Sequence, residues 1–448
     1  WQFPNMTQEL AQELLPECPK EELPITRNKN DEEEKLPVYI DFSHPRAKEL
    51  LAAQWKDRMD AGIRGSMVDF GDVVPDEAVF YDGRRGDEMH NAYAYQYAKN
   101  YRELFEQKYG DDHVLYTRGA APGSQHFACQ FGGDQLTSFQ GLKYAIAGGL
   151  SAAASGLPFW GVDAGGYDGF PDQETYLRWT EYAAFCPLMR FHGTEPREPW
   201  EYDAFTVKVY RYYTWLRENL RPYIVSVAAE AHKLGIPMMR PLAMIYPEDQ
   251  EATKVWDEYL FGENLLVAPV SDETEEREIY FPEGRWISLW NLNDEISGPV
   301  QRSVEVPIDK IPVYVREGSF LPLRLNESLK LGESMSESET EMILAVVPQN
   351  DSIVKETLYE RSGAKTCCGM EKNGETIQLQ ISGRTAELYV MLAGIHWKNT
   401  EAIVNGRTLT KVTAREGLYF TEGYLELEEG ILVKINPSAE SVIKIQKK

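Results

Sequence analysis

Apolar residues Ala47, Leu50, Leu51, Trp55 and Met59 recur at helical spacing early in the chain. The pattern predicts a helix over 45–61, with Ser43 as N-cap, Pro45 just inside the start and Gly62 ending it. A short apolar run over 65–70 follows and reads as a strand. Further on, strands are predicted over 114–118, 127–131, 157–162 and 188–191, and helices over 91–108, 141–151, 174–185 and 204–234. Short strands alternating with helices indicate parallel βαβ units. Polar and glycine-rich residues fall just after the strands: Asp69-Phe70-Gly71-Asp72, Arg118-Gly119, Gly132-Gly133-Asp134, Asp163-Ala164-Gly165-Gly166 and His192-Gly193. In a (β/α)8 barrel such strand ends form the active-site rim. Five strand–helix units are visible, against the eight that close a barrel.

The texture changes elsewhere. Residues 1–37 are polar and rich in proline, with one short helix over 6–15 and an acidic run at 31–34 that reads as a solvated loop. Near Gly235 helical patterning gives way to short alternating strands over 265–270, 278–281, 285–288, 304–306 and 313–316, with Pro282-Glu283-Gly284 as a turn. Residues 326–340 read as a linker, and strands resume from Glu341. The expected class is therefore α/β: the C-terminal part of a (β/α)8 TIM-type barrel followed by two β-sandwich domains. The expected domains are 1–235 (with the excursion 1–37), 236–325 and 326–448.

Composition narrows the classes. The 448 residues hold 46 Lys+Arg and 71 Asp+Glu, a formal charge of −25, which argues against nucleic acid or an anionic membrane as partner. No apolar run reaches the ~18 residues of a membrane span, and no signal peptide is visible. The five cysteines have no metal or redox spacing, so reduced thiols and a cytoplasmic location are expected, with secretion left open. The sequons at Asn5, Asn326 and Asn350 are close to chance number and do not decide it. Aromatics at 12 % suit sugar stacking, but buried cores use the same residues.

Acids at three strand ends, Asp69, Asp134 two units later and Asp163 one unit after that, are expected to point into one shared mouth. Glycoside cleavage needs two carboxylates, one on the anomeric carbon and one to protonate the leaving oxygen. Each Asp alone is as well explained as a helix cap. Three of them together with Arg118 and His192 favour a polyol site. Ser66, Ser124 and Ser151 lie in no G-x-S-x-G elbow, and no H-E-x-x-H is present. The glycine- and aspartate-rich stretch 161–169 lacks the order of a phosphate loop and reads better as a sugar-contacting loop than as a calcium loop.

With these residues the chain resembles glycoside hydrolase family 31, the retaining α-glucosidases and α-xylosidases, over residues 38 to about 325. The stretches Met67-Val68-Asp69-Phe70-Gly71-Asp72 and Phe131-Gly132-Gly133-Asp134 match its nucleophile and acid/base segments. Arg118-Gly119-Ala120, Trp160-Gly161-Val162-Asp163 and Arg190-Phe191-His192-Gly193 match its sugar-binding strands. The resemblance implies Asp69 as nucleophile and Asp134 as acid/base. It implies Arg118, Asp163 and His192 in the sugar subsite, with Trp160, Phe131 and Asp72 as further substrate-binding residues and no cofactor or metal. Asp72 stands where many members have Glu, and Phe131 where many have Trp. The family's N-terminal sandwich and first three barrel strands have no counterpart here, and the chain begins with Trp1 rather than Met. The expectation is a C-terminal portion completed by an N-terminal segment of the same enzyme, acting on an oligosaccharide or glycoside. Terminal α-glucosides are the leading substrate. An α-xyloside, α-galactoside or sulfoquinovoside, α-transglycosylation, or a non-catalytic carbohydrate-binding scaffold are the rivals. Homo-oligomerisation is left open.

Overall fold

The computed structural model describes residues 5–28, 38–335, 339–384 and 386–448, so the acidic run at 31–34 lies outside the described residues. The chain divides into two compact units: Trp1–Gly133 with Ser155–Gly161, and Asp134–Ala154 with Val162–Lys448.

In the first unit, helices α1 (Ala47–Asp60) and α2 (Gly86–Tyr109) share one core. The apolar stripe of α1 is buried as its spacing requires, and Trp55 packs edge-on against Tyr101 and Phe105 of α2, with ring centroids 5.9 and 5.0 Å away. Ser43 does not cap α1. Its hydroxyl donates to Asp41 Oδ1 at 2.6 Å, and the helix starts after Arg46 without a side-chain cap. Helix α2 starts at Gly86 rather than 91, because Glu88 reaches back to accept the Arg85 N–H at 2.8 Å.

Strands β1 (Gly65–Met67), β2 (Val114–Thr117), β3 (Cys129–Phe131) and β4 (Trp160–Asp163) pair in parallel in that order. β4 begins in the first unit and ends in the second, where Ala164 N–H donates to Arg190 of β5 (Leu188–Arg190) at 2.8 Å. The strand order β1-β2-β3-β4-β5 is that of a parallel half-barrel. Strands of closed barrels are buried on both faces. Here Gly65 is exposed and Ser66 and Met67 are only half-buried; among the described residues β1 stands at the end of the strand order.

The second unit adds helices α3 (Phe139–Ala154), α4 (Gln173–Ala184), α5 (Ala204–Asn219) and α6 (Arg221–Leu234). The single helix expected over 204–234 is two, broken at Leu220. Pro222 has no N–H to bond back and its ring excludes the preceding turn, so it sits in the first turn of a new helix. Every residue of α4 from Thr175 to Ala184 is buried. Arg178 of α4 donates to the carbonyls of Val306, Pro307 and Lys310 at 2.7, 3.1 and 3.3 Å, which ties the helix to the sheet domain.

That sheet is antiparallel, in the order Met239–Pro241, Tyr259–Phe261, Leu265–Val267, Val313–Arg316, Glu276–Ser288, Glu295–Glu305. Pro282-Glu283-Gly284 is not a turn. Glu276–Ser288 runs as one strand, with a register shift between Phe281 and Gly284 where proline cannot donate to the ladder. The distal domain is a sandwich of a five-stranded and a six-stranded sheet around one core. Ile343, Val390 and Val433 come from one sheet; Met370, Leu379 and Ile443 come from the other. Phe320–Leu325, which the sequence reading assigned to the proximal domain, pairs with Thr340–Val346 and so belongs to this sandwich.

Glu258, 2 % exposed, accepts the Tyr280 N–H at 3.2 Å on each oxygen. Burial raises its pKa to about 8, with Arg277 opposing the shift. The native state therefore holds this proton more tightly than the unfolded chain. The group's contribution to stability is fullest below the unfolded carboxylate range and is lost as pH rises through about 8. Thermal melts of the parent and Glu258→Gln should show the parent losing Tm relative to the variant by several degrees between about pH 5 and about pH 8. A constant difference across that window would refute the assignment.

Candidate active site

The first unit holds Asp69, Asp72, Arg118, Phe131 and Trp160. Val68 N–H still pairs with the Tyr116 carbonyl at 2.9 Å, so Asp69 stands just beyond the end of β1. It is 3 % exposed, and Tyr97 of α2 donates to its backbone carbonyl at 2.7 Å. The next residue, Phe70, has φ +63°, a left-handed conformation that a bulky side chain adopts only when its surroundings impose it. This turn brings the Phe70 N–H to 2.8 Å from Asp69 Oδ1 and lays its ring under the Arg118 guanidinium, 4.7 Å from the ring centre. Arg118 Nε is 3.3 Å from Asp69 Oδ1 and 3.4 Å from Asp72 Oδ2. Two carboxylates thus share one arginine, and Asp72 is engaged with it rather than standing apart.

Phe131 ends β3, buried, with its ring 4.9 Å from that of Tyr116. Trp160 opens β4 while Asp163 closes it. Side chains alternate along a strand, which places these two on opposite faces. The buried indole Nε1 of Trp160 has no hydrogen-bond partner among the described residues.

The second unit holds Asp134, Asp163 and His192. Asp134 is exposed, just past β3. Asp163 is 1 % exposed, and its Oδ1 accepts Arg190 Nε at 2.6 Å and is also met by Arg190 Nη2. Its Oδ2 is buried and accepts no hydrogen bond among the described residues. Burial raises the Asp163 pKa to about 6; Arg190 pulls it down, and the nearby Asp134 charge pushes it up. His192 is half-buried, its ring 5.3 Å from that of Tyr167. Burial and the neighbouring Arg190 charge lower its pKa, which favours a neutral imidazole able to donate at one nitrogen and accept at the other.

The structure thus groups Asp69, Asp72 and Arg118 in one unit, and Asp134, Asp163 and His192 in the other. Sequence reasoning missed Tyr97, Tyr167 and Arg197, and named Arg190 only as part of a sugar-binding strand, without a role of its own. Arg190 had a signal, since it ends a strand two residues before His192. Tyr97 lies inside the helix predicted over 91–108, where nothing local sets it apart. No group of three or more His, Cys, Asp or Glu among the described residues could hold a metal ion.

The model of the glycosyl hydrolases family 31 TIM-barrel domain matches residues 4–227, half of the chain, and that of the family's C-terminal domain matches 235–321. The chain belongs to glycoside hydrolase family 31. An isomaltosyltransferase of Sporosarcina globispora is 32 % identical over 430 residues, covering 90 % of this chain and 39 % of that protein. A sulfoquinovosidase of Escherichia coli K12 is 32 % identical over 297 residues, 62 % of this chain and 43 % of that protein. Among solved structures, the cycloalternan-forming enzyme of Listeria monocytogenes, in complex with a pentasaccharide substrate, superposes with a TM-score of 0.86 at 25 % identity. It covers 94 % of this chain and 42 % of its own. A family 31 dextranase of Flavobacterium johnsoniae complexed with glucose shares the fold, with a TM-score of 0.88 at 23 % identity over 99 % of this chain and 61 % of its own. The chain spans about two fifths of the length of such curated family 31 relatives.

The Asp163–Arg190 pair gives a direct test. Removing one partner of a buried ion pair leaves the other charge uncompensated, at about 3–5 kcal/mol. Arg190→Met should lower Tm by several degrees near about pH 8. The deficit should shrink toward about pH 5, where Asp163, freed of the opposing arginine, takes up a proton. A pH-independent loss would assign the effect to packing alone.

Proposed function

We propose that this chain carries the catalytic residues of a retaining α-glycosidase acting on α-glucosides. The observation that carries the reading is Asp69: a buried carboxylate at the carboxyl end of a parallel strand, with Arg118 at 3.3 Å and the Phe70 N–H at 2.8 Å on its Oδ1. Both groups favour an anion there, which is the state a nucleophile needs. Asp69 attacks the anomeric carbon while Asp134 protonates the departing oxygen. A covalent glycosyl-enzyme forms, and Asp134, now a base, activates the incoming hydroxyl. The exposure of Asp134 fits a group that must meet first a leaving group and then an acceptor. Asp163 Oδ2 is an acceptor waiting for a sugar hydroxyl, and His192 is a second polar contact. Arg118 holds Asp69 and Asp72 in register.

A second reading keeps the chemistry and changes the acceptor. The isomaltosyltransferase and the cycloalternan-forming enzyme each align with nine tenths or more of this chain, which favours delivery of the glycosyl group to a sugar hydroxyl rather than to water. The half-exposed edge of β1 supports one further proposal, that additional parallel strands complete the barrel in the working enzyme.

The test is product analysis on isomaltose-type and aryl α-glucosides. First-formed products should be α-anomers by NMR. Asp69→Asn should reduce kcat by roughly 10³-fold or more while the protein melts normally. Near-full turnover by Asp69→Asn, or inverted products, would sink the proposal. The ratio of free glucose to longer oligosaccharide in the same reactions separates hydrolysis from transfer.

A further inference from the structure

We infer that Arg197 is the positioning residue for the acid/base segment: through the 165–169 loop it fixes the backbone that carries Asp134. The inference rests on the acid/base role proposed above.

Arg197 is 6 % exposed and spends its whole guanidinium on backbone carbonyls. Its Nε donates to Gly166 O at 3.1 Å. Nη2 donates to Gly166, Tyr167 and Gly169 O at 2.9, 3.1 and 2.7 Å, and Nη1 to Glu195 and Pro196 O at 2.9 and 3.0 Å. The loop after β4 is thereby bound to the segment after β5. Thr194 adds to the clamp: its N–H donates to Tyr167 O at 2.9 Å, and its Oγ1 accepts the Gly169 N–H at 3.0 Å. The clamped loop in turn holds the segment beside Asp134. The N–H groups of Tyr167 and Asp168 both donate to Gln135 O, at 2.8 and 3.1 Å, and Leu136 forms a parallel bridge with Asp168. Gln135 is the residue after Asp134.

Two glycines make this arrangement fit. Gly166 has φ +77°, and a Cβ on it would lie 2.6 Å from Leu136 O, so the loop and the acid/base segment touch backbone to backbone. A Cβ on Gly193 would lie 2.3 Å from Arg197 Nη2. Only arginine offers five N–H donors in a plane; lysine reaches fewer carbonyls and leaves the others buried without partners.

An acid/base residue acts only when its carboxyl is within hydrogen-bond reach of the leaving oxygen, and a shift of about 1 Å can lower the rate about a hundredfold. That gives a readout that mere loss of stability does not reproduce. Departure of fluoride needs no proton, whereas departure of a sugar does. The experiment measures kcat/KM of the intact protein on α-glucosyl fluoride and on an α-linked disaccharide. It compares the parent with Arg197→Lys, Thr194→Val and, as control, Asp134→Ala. Thr194 is exposed, so its variant decides the matter if Arg197→Lys does not fold. The expected result is a loss of about tenfold or more on the disaccharide and less than about threefold on the fluoride, in the same sense as Asp134→Ala. Equal losses on both substrates, or none, in variants that melt cooperatively would overturn the inference while leaving Asp134 in its role. Absence of the leaving-group dependence in Asp134→Ala itself would overturn the acid/base reading and the inference with it.

Discussion

The loops of this chain depend on buried guanidinium groups. Where a strand stops and the chain turns over a sheet, backbone carbonyls lose their ladder partners and cannot be left dry. Arg197 takes up the carbonyls after β4 and β5. Arg217 of α5 does the same where α4 ends, donating to Ala184, Cys186 and Pro187 O at 3.0, 2.7 and 2.7 Å. A cation at a helix C-terminus also meets the negative end of the helix dipole. Arg178 repeats the device toward the sheet domain. Burial lowers the pKa of Arg197 and Arg217, yet an arginine stays charged inside a protein, so each site gains a permanent multi-donor hub.

The first unit solves the same problem with tyrosines. Tyr93, Tyr97 and Tyr101 recur every fourth residue on α2, and all three are buried. The hydroxyls of Tyr93 and Tyr97 reach out of the core to the carbonyls of Ile40 and Asp69, at 3.2 and 2.7 Å. This bears on the aromatic content. Trp55, Trp179 and Trp286 are fully buried, so much of the aromatic richness builds cores and holds loops rather than stacking on sugar.

What was legible in the sequence follows from the range of the forces involved. Helical periodicity is local, and α1, α3, α4 and the parallel strands stand close to where the apolar spacing puts them. Strand ends were legible because Gly and Asp collect there, and this brought Asp69, Asp134 and Asp163 into view together. The break at Leu220 was written in Pro222 but masked by the continuous apolar stripe around it. The 282–284 stretch has turn composition, and only its pairing with Glu295–Glu305 makes it a bulge. Arg197 had no signal at all. A lone arginine in an irregular loop acquires its role from carbonyls some thirty residues away, brought close by the order of the strands.

The proposed nucleophile and acid/base therefore rest on different supports. The segment of Asp134 is fastened within its own unit, through Gln135 O, the 165–169 loop and Arg197. Asp69 follows β1, which is the edge of the strand order and bears half-exposed side chains. Its turn is held by Tyr97 and Arg118, and the residues of the strand that delivers it are exposed or half-buried. The left-handed Phe70 turn, which brings its N–H to Asp69 Oδ1 and lays its ring against the Arg118 guanidinium, is the local device that holds the Asp69 carboxylate.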